Sequence, residues 1–179
     1  MKRQAGFTLL ELLVTIAILA ILAGVAIPAF SSWLPNYRLR SAALDVFSNF
    51  QQTKVLAVRA NENHFVVFDP GNNRYRIEDD AGNVVRTVNL DQYGSPGEVS
   101  FGGGDATINA TVGGGSLPGD AVSYQWPIGS NNNKAYFNPR GMGYSAYVYL
   151  QNTRGTAYAI GTESSGLIKM KKWGGVQWK

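Results

Sequence analysis

The sequence predicts an α+β protein in which a long N-terminal α-helix packs on an antiparallel β-sheet domain. Three observations lead to this prediction. An apolar run of about 19 residues, from Leu12 to Phe30, is long enough to cross a bilayer as a helix. Apolar residues then recur at spacings of three and four between Leu39 and Ala57. After Asn61, short runs that favour β-structure alternate with turn residues.

The helix is predicted to run from about Phe7 to Arg59 and to change character along its length. Its first half is apolar all round, whereas its second half is amphipathic and should pack on the β domain. The apolar stripe of the second half consists of Leu39, Ala43, Val46, Phe47, Phe50 and Ala57. Pro28 and Pro35 each remove a backbone donor, so we expect them to bend or loosen the helix locally.

The remainder of the chain is predicted to form short antiparallel strands, of which the first three make a meander. The candidate strands are His64–Asp69, Arg74–Glu78, Val84–Leu90, Glu98–Phe101, Thr107–Val112, Val122–Trp126, Lys134–Asn138, Tyr144–Gln151, Thr156–Gly161 and Leu167–Trp173. Two glycine triplets, at 102–104 and 113–115, lack the spacing of a phosphate-binding loop and are predicted to be connections.

Length and composition allow one anchor helix and one globular domain of ordinary size. The chain has 179 residues and no cysteine, so the globular domain must be held by packing without a disulfide. Its net charge of +4 is unevenly distributed, because residues 61–133 are mainly acidic and residues 134–179 mainly basic. This asymmetry could pair subunits or present a basic surface to a polyanion, and solvated strand faces are the alternative.

Residues typical of an active site are scarce in this sequence. It has no cysteine nucleophile, and its one histidine, His64, begins a predicted strand. Asp79 and Asp80 are adjacent, which differs from the alternating spacing of a calcium loop, so a solvated turn is the better explanation. We therefore expect no enzymatic activity, no metal and no cofactor.

The N-terminus carries the most specific signal in the sequence. Lys2 and Arg3 precede a Gly6-Phe7 junction, and Glu11 stands inside a segment that is otherwise apolar enough to enter a bilayer. A charge there costs roughly 2.5–3.5 kcal/mol and should have a partner. A cut between Gly6 and Phe7 would supply one, because it frees an α-amino group one helical turn from Glu11. A secretory signal peptide or a plain membrane anchor would also place basic residues before an apolar run, but neither explains Glu11.

The segment Gly6-Phe7-Thr8-Leu9-Leu10-Glu11 resembles the leader junction of type IV pilins and pseudopilins. The resemblance implies that a prepilin peptidase cuts after Gly6 and that the new N-terminal Phe7 is N-methylated. It also implies that Glu11 pairs with the N-terminal amine of a neighbouring subunit in the fibre. The domains expected on this basis are a leader at 1–6, a transmembrane and assembly helix at 7–33, an amphipathic second half of the helix at 34–60, and an antiparallel β globular domain at 61–179.

The C-terminal part has a second, narrower resemblance, to the GspH/FimT group of minor pseudopilins and minor pilins. It rests on Phe137-Asn138-Pro139-Arg140-Gly141, on Tyr158-Ala159-Ile160, and on the turn at Gly166 followed by Ile168. Some FimT-like pilins bind DNA through a basic turn at the position of Gly166, but Leu167 departs from that pattern here. Charge is supplied instead by Lys169, Lys171 and Lys172. Alternation along a strand would place the first two on one face and Lys172 on the other.

Together the resemblances imply a minor pilin or pseudopilin with a single-pass helix in the bacterial inner membrane and its globular domain in the periplasm. Such a protein is incorporated into a type II secretion pseudopilus or a type IV pilus, near the tip. The expected partners are the prepilin peptidase, other pilin or pseudopilin subunits and the inner-membrane assembly platform. The alternative is a FimT-like minor pilin that binds DNA for uptake. Secretion system and pilus share this leader, so both remain open.

Overall fold

The computed structural model describes residues 7–111, 113–125, 127 and 133–179. It confirms the α+β class, because helix α1, Leu9–Ala60, is followed by antiparallel β-sheets. The chain divides into two compact units, Met1–Leu34 and Pro35–Lys179. Among the described residues, α1 is the helix that is long and apolar enough to cross a membrane.

The first unit contains the beginning of α1, whose apolar side chains are exposed in the described residues. Every side chain from Phe7 to Trp33 is exposed. Pro28 does not interrupt the helix, and nearby hydroxyls satisfy carbonyl groups: Ser31 donates to the carbonyl of Pro28 at 3.0 Å, and Ser32 to that of Ala29 at 2.8 Å. Exposure of so long an apolar surface to water is unfavourable, so we expect lipid or other helices to cover it.

The second unit contains the rest of α1 and, within the described residues, eight strands. They are β1 His64–Asp69, β2 Arg74–Glu78, β3 Val84–Asn89, β4 Val99–Phe101, β5 Lys134–Phe137, β6 Ala146–Asn152, β7 Ala157–Thr162 and β8 Ile168–Lys172. Instead of one sheet they form two four-stranded antiparallel sheets, sheet A in the order β3-β2-β1-β5 and sheet B in the order β4-β6-β7-β8. The predicted meander is the β1-β2-β3 part of sheet A.

Two of the predicted strands are wrong. Thr107–Val112 and Val122–Trp126 lie in a long connection between β4 and β5, although Val112 and Trp126 themselves are outside the described residues. In the first segment the N–H of Ala110 donates to the side-chain hydroxyl of Tyr149 at 2.8 Å. In the second, the N–H of Ser123 donates to the carbonyl of Tyr147 in β6 at 2.8 Å. Val122 retains a single bridge to β6. The connection packs on sheet B, and this contact across the sequence overrides the local preference for strand.

The amphipathic part of α1 is central to the core, as its stripe predicts. All stripe residues are buried except Phe47, which is half-buried. Phe50 is fully buried, and its ring meets the rings of Phe68, Tyr124 and Phe137 edge to face at centroid distances of 6.0, 5.8 and 6.1 Å. The same cluster includes apolar residues of sheet B, so α1 packs against both sheets.

Polar contacts attach α1 to the strands and turns at several positions along the helix. The carboxylate of Asp45 accepts hydrogen bonds from Asn49 and from the hydroxyl of Tyr75, both at 3.0 Å. Burial, with the nearby charge of Asp45 as a smaller cause, raises the pKa of Tyr75 well above its ordinary value. Arg38 forms an ion pair with Glu98, and Lys54 donates to the carbonyl of Gly166 at 2.9 Å. These contacts set the register of α1 against strands and turns far away in the sequence.

Candidate processing and assembly site

Helix α1 begins immediately after Thr8, whose side chain caps it. The backbone N–H of Glu11 donates to the Thr8 hydroxyl at 3.2 Å, and the N–H of Leu12 to the Thr8 carbonyl at 3.2 Å. Thr-x-x-Glu is the sequence signature of a capping box. Sequence reasoning here missed that signal, although the spacing of Thr8 and Glu11 displays it.

Glu11 lies exposed in the first turn of α1. A negative charge is favourable there, because the unpaired N–H groups at a helix N-terminus carry a partial positive charge. Within the described residues its carboxylate makes no ion pair and accepts no hydrogen bond. Its backbone N–H therefore takes part in the cap, whereas its carboxylate has no partner among the described residues.

The predicted junction lies at the boundary of the described structure. Gly6 is outside the described residues, and Phe7 is described, with 82% of its side chain exposed. Phe7 and Thr8 precede α1, and the Thr8 carbonyl accepts the first hydrogen bond of the helix.

The three lysines of the predicted polyanion contact lie on β8, an edge strand of sheet B. Lys169 forms an ion pair with Glu163, and that hydrogen bond raises the pKa of the lysine. Lys171 donates to the carbonyl of Ala110 at 2.8 Å and lies 5.0 Å from the centroid of the Tyr147 ring. Lys172 is exposed. Two of the three charges are thus already engaged within the chain.

The fold brings together the two turns of the C-terminal resemblance. A side chain at Gly166 would collide with the backbone carbonyl of Gly141, and both residues have a positive φ, of 76° and 70°. Lys54 of α1 donates a hydrogen bond to the carbonyl of Gly166 and lies against Gly141. Beside them Leu167, where an arginine would be expected in a DNA-binding turn, is 52% exposed.

Asp79 and His64 are the remaining titratable candidates, and the Nδ1 atom of His64 has no hydrogen-bond partner among the described residues. The side chain of Asp79 accepts hydrogen bonds from the backbone and side chain of Asn83 at 2.7 and 2.8 Å, which lowers its pKa and closes the turn before β3. His64 is only 4% exposed. In the part of the chain that the structure describes, no group of three or more His, Cys, Asp or Glu side chains could hold a metal ion.

Comparison with protein-family models matches residues 1–27 to the prokaryotic N-terminal methylation motif. In this segment the chain is similar to type IV pilins and pseudopilins. Among curated proteins, the pilin-like segment is similar to prepilin peptidase-dependent protein D of Escherichia coli (strain K12), with 44% identity over 50 residues. That alignment covers 28% of this chain and 32% of the relative, so the chain matches about a third of the relative's length.

A solved structure similar to this pilin-like chain is that of the minor pseudopilin EpsH from the type 2 secretion system of Vibrio cholerae. The superposition covers 74% of this chain and 95% of that one, with a TM-score of 0.49 and 7% sequence identity.

Proposed function

We propose that this chain is a minor pilin or pseudopilin, a structural subunit that is processed by a prepilin peptidase and assembled into a type II secretion pseudopilus or a type IV pilus. The observation that carries the proposal is an N-terminal methylation motif at residues 1–27, which includes the beginning of an exposed apolar helix. A helix of that kind needs lipid before assembly and neighbouring helices after it. In the proposed pathway the inner membrane supplies the lipid, and the assembled fibre supplies the neighbouring helices.

In this proposal each part of the chain has its own task. Residues 1–6 are removed as a leader, 7–33 span the inner membrane and then enter the fibre, 34–60 fix the helix on the domain, and 61–179 form the globular domain in the periplasm. The peptidase cuts between Gly6 and Phe7, and Phe7 is then N-methylated. The carboxylate of Glu11 pairs with the N-terminal amine of a neighbouring subunit. The position near the fibre tip and the docking to the inner-membrane assembly platform rest on the GspH/FimT resemblance.

The DNA-binding alternative has less support. A binding turn needs exposed cations that can reach phosphates. Lys169 and Lys171 are instead held by Glu163 and by the carbonyl of Ala110, and the turn itself presents Leu167. Lys172 and neighbouring arginines could add a weak, salt-sensitive affinity for a polyanion, which any basic surface has.

Mass spectrometry of the protein extracted from membranes tests the processing step. The expected mass is that of a chain beginning at Phe7 with one added methyl group. Gly6→Val should block cleavage, because the new side chain obstructs the peptidase at the cut. Ala5→Val adds the same side chain one residue earlier and is the matched control, which we expect to be processed. A wild-type mass beginning at Met1, or a cut near residue 30, would contradict the proposal.

A further inference from the structure

One edge of sheet A is open, whereas the other three sheet edges meet other parts of the chain. Val99 of β4 accepts a hydrogen bond from the side chain of Asn73 at 2.9 Å, and Lys134 of β5 accepts one from the Tyr144 hydroxyl at 3.2 Å. On β8, Lys172 exchanges backbone hydrogen bonds with Lys179 at 2.7 and 3.0 Å. The backbone of β3 bonds only to β2 among the described residues.

Most side chains of strand β3 are exposed, and its register against β2 shifts between Ile77 and Glu78. Five of its six residues are exposed, and Val84 and Val85 expose 54% and 50% of their surface. It contains no proline, and its one charged residue, Arg86, turns towards α1 and donates to Asn49 at 3.0 Å. The unpaired backbone groups of an edge strand are a template for a further strand.

Beside this edge, the face of sheet A that is turned away from α1 carries a small cavity of about 150 Å³. Its lining includes Val67, Asp69, Arg74, Arg76, Val84 and Thr87. Strand register aligns Val67, Arg76 and Thr87 in one row across β1, β2 and β3. The cavity therefore has an apolar floor, two guanidinium groups, and a wall formed by the open strand.

The two guanidinium groups have N–H donors that are not used within the described residues. Arg74 and Arg76 bond Asp69 and Glu78 through their Nε atoms, the first at 3.0 Å. Their side chains are 46% and 39% exposed, and their terminal nitrogens make no hydrogen bond to the described residues. A guanidinium has five N–H donors and binds a carboxylate through two of them.

We propose that the edge of β3 binds an extended segment of another protein, which adds a strand to sheet A and places a carboxylate on Arg76 and Arg74. In such strand addition the main-chain hydrogen bonds supply affinity and the side-chain pocket supplies specificity. Arg76 lies two strand spacings, about 10 Å, from the added strand. A glutamate and an arginine side chain together span that distance across the short side chain of Thr87.

The partner is a different protein and not a second copy of this chain. The open edge of this chain, Val84–Asn89, contains no acidic residue, so edge-to-edge pairing of two copies would bring no carboxylate to the terminal nitrogens of Arg74 and Arg76. This inference goes beyond the proposed function and does not depend on cleavage at the N-terminus.

Fluorescence anisotropy with the full chain in detergent micelles tests it. The probe is a labelled peptide, acetyl-Lys-Thr-Val-Glu-Val-Thr-Lys-amide, which is compared with its Glu→Gln form and with a form N-methylated at both valines. We expect the glutamate peptide to bind at least about tenfold more tightly than the glutamine peptide, because a charge-assisted contact is lost. The N-methylated peptide should not bind, because it has lost main-chain donors.

Protein variants separate the site from general charge. Arg76→Gln should weaken binding of the glutamate peptide by at least about tenfold and remove the difference between the two peptides. Arg140→Gln removes the same charge from an exposed turn elsewhere and should leave binding unchanged. Absence of binding to all peptides at millimolar concentration, equal affinity for the Glu and Gln forms, or equal loss in both variants would overturn the proposal. Self-association in the same micelles that is abolished by Thr87→Lys would assign the edge to a second copy and would also overturn it.

Discussion

Replacing Phe50 by alanine tests whether α1 is part of the core of the globular domain. Phe50 is fully buried and makes three edge-to-face contacts, with Phe68, Tyr124 and Phe137. Removing a buried phenylalanine costs about 3–5 kcal/mol, and the three ring contacts place this site in the upper part of that range. A domain of this size has a free energy of unfolding of about 5–15 kcal/mol, so the loss should be a large fraction of the total.

Urea unfolding of a fragment that begins at Pro35, monitored by circular dichroism, measures this loss of stability. With a slope near 2 kcal/mol/M, Phe50→Ala should lower the unfolding midpoint by about 2 M. Leu44→Ala is the matched control on the same helix: Leu44 is 45% exposed, so we expect a loss of about 1 kcal/mol. If the two substitutions cost the same, the packing of α1 does not stabilise the domain and the argument is refuted.

Three further predictions concern the second half of α1, the role of Glu11 in assembly, and DNA binding by the lysines of β8. The fragment that begins at Pro35 should be soluble, monomeric and cooperatively folded, whereas one that begins at Asn61 should aggregate in sedimentation experiments, because it exposes the surface that α1 covers; equal behaviour would contradict this. Glu11→Leu should leave membrane insertion intact or improved, because a costly charge is removed, while incorporation into fibres should fall; equal incorporation, measured in sheared fibre fractions, would mean that Glu11 has no assembly role. The globular domain should bind duplex DNA no more tightly than about 10⁻⁴ to 10⁻⁶ M at physiological salt; submicromolar binding in a gel-shift titration, lost in Lys169→Ala with Lys171→Ala, would favour DNA uptake.

Helix α1 and the strands of sheet A could be predicted from the sequence because their signals are local. The apolar stripe follows the helical period and is buried almost throughout, and β1 and β2 have the predicted bounds. Both strands are bounded by turn residues, and their side chains alternate between the core and the outer face. In such segments the tertiary environment agrees with the local preference, so sequence reasoning succeeds.

The connection between β4 and β5 could not be predicted, because its conformation depends on contacts with distant residues. Ala110 and Ala121 pack on Tyr149 and Tyr147 of β6, and backbone groups of the connection bind side chains that come later in the sequence. The division into two sheets has the same origin: β5 crosses to pair with β1, and β4 pairs with β6. A pattern along the chain does not specify which strand becomes the neighbour.

At the N-terminus, sequence reasoning found Glu11 but not the feature that leaves its side chain available. The cap uses the hydroxyl of Thr8 and the backbone N–H of Glu11, so the helix end is satisfied without the carboxylate. Both residues follow the predicted cut, so under the proposed cleavage the cap would stay with the mature chain. A carboxylate in the first turn of a capped helix keeps its acceptor capacity, and the proposed pairing with the amine of a neighbouring subunit needs such an acceptor.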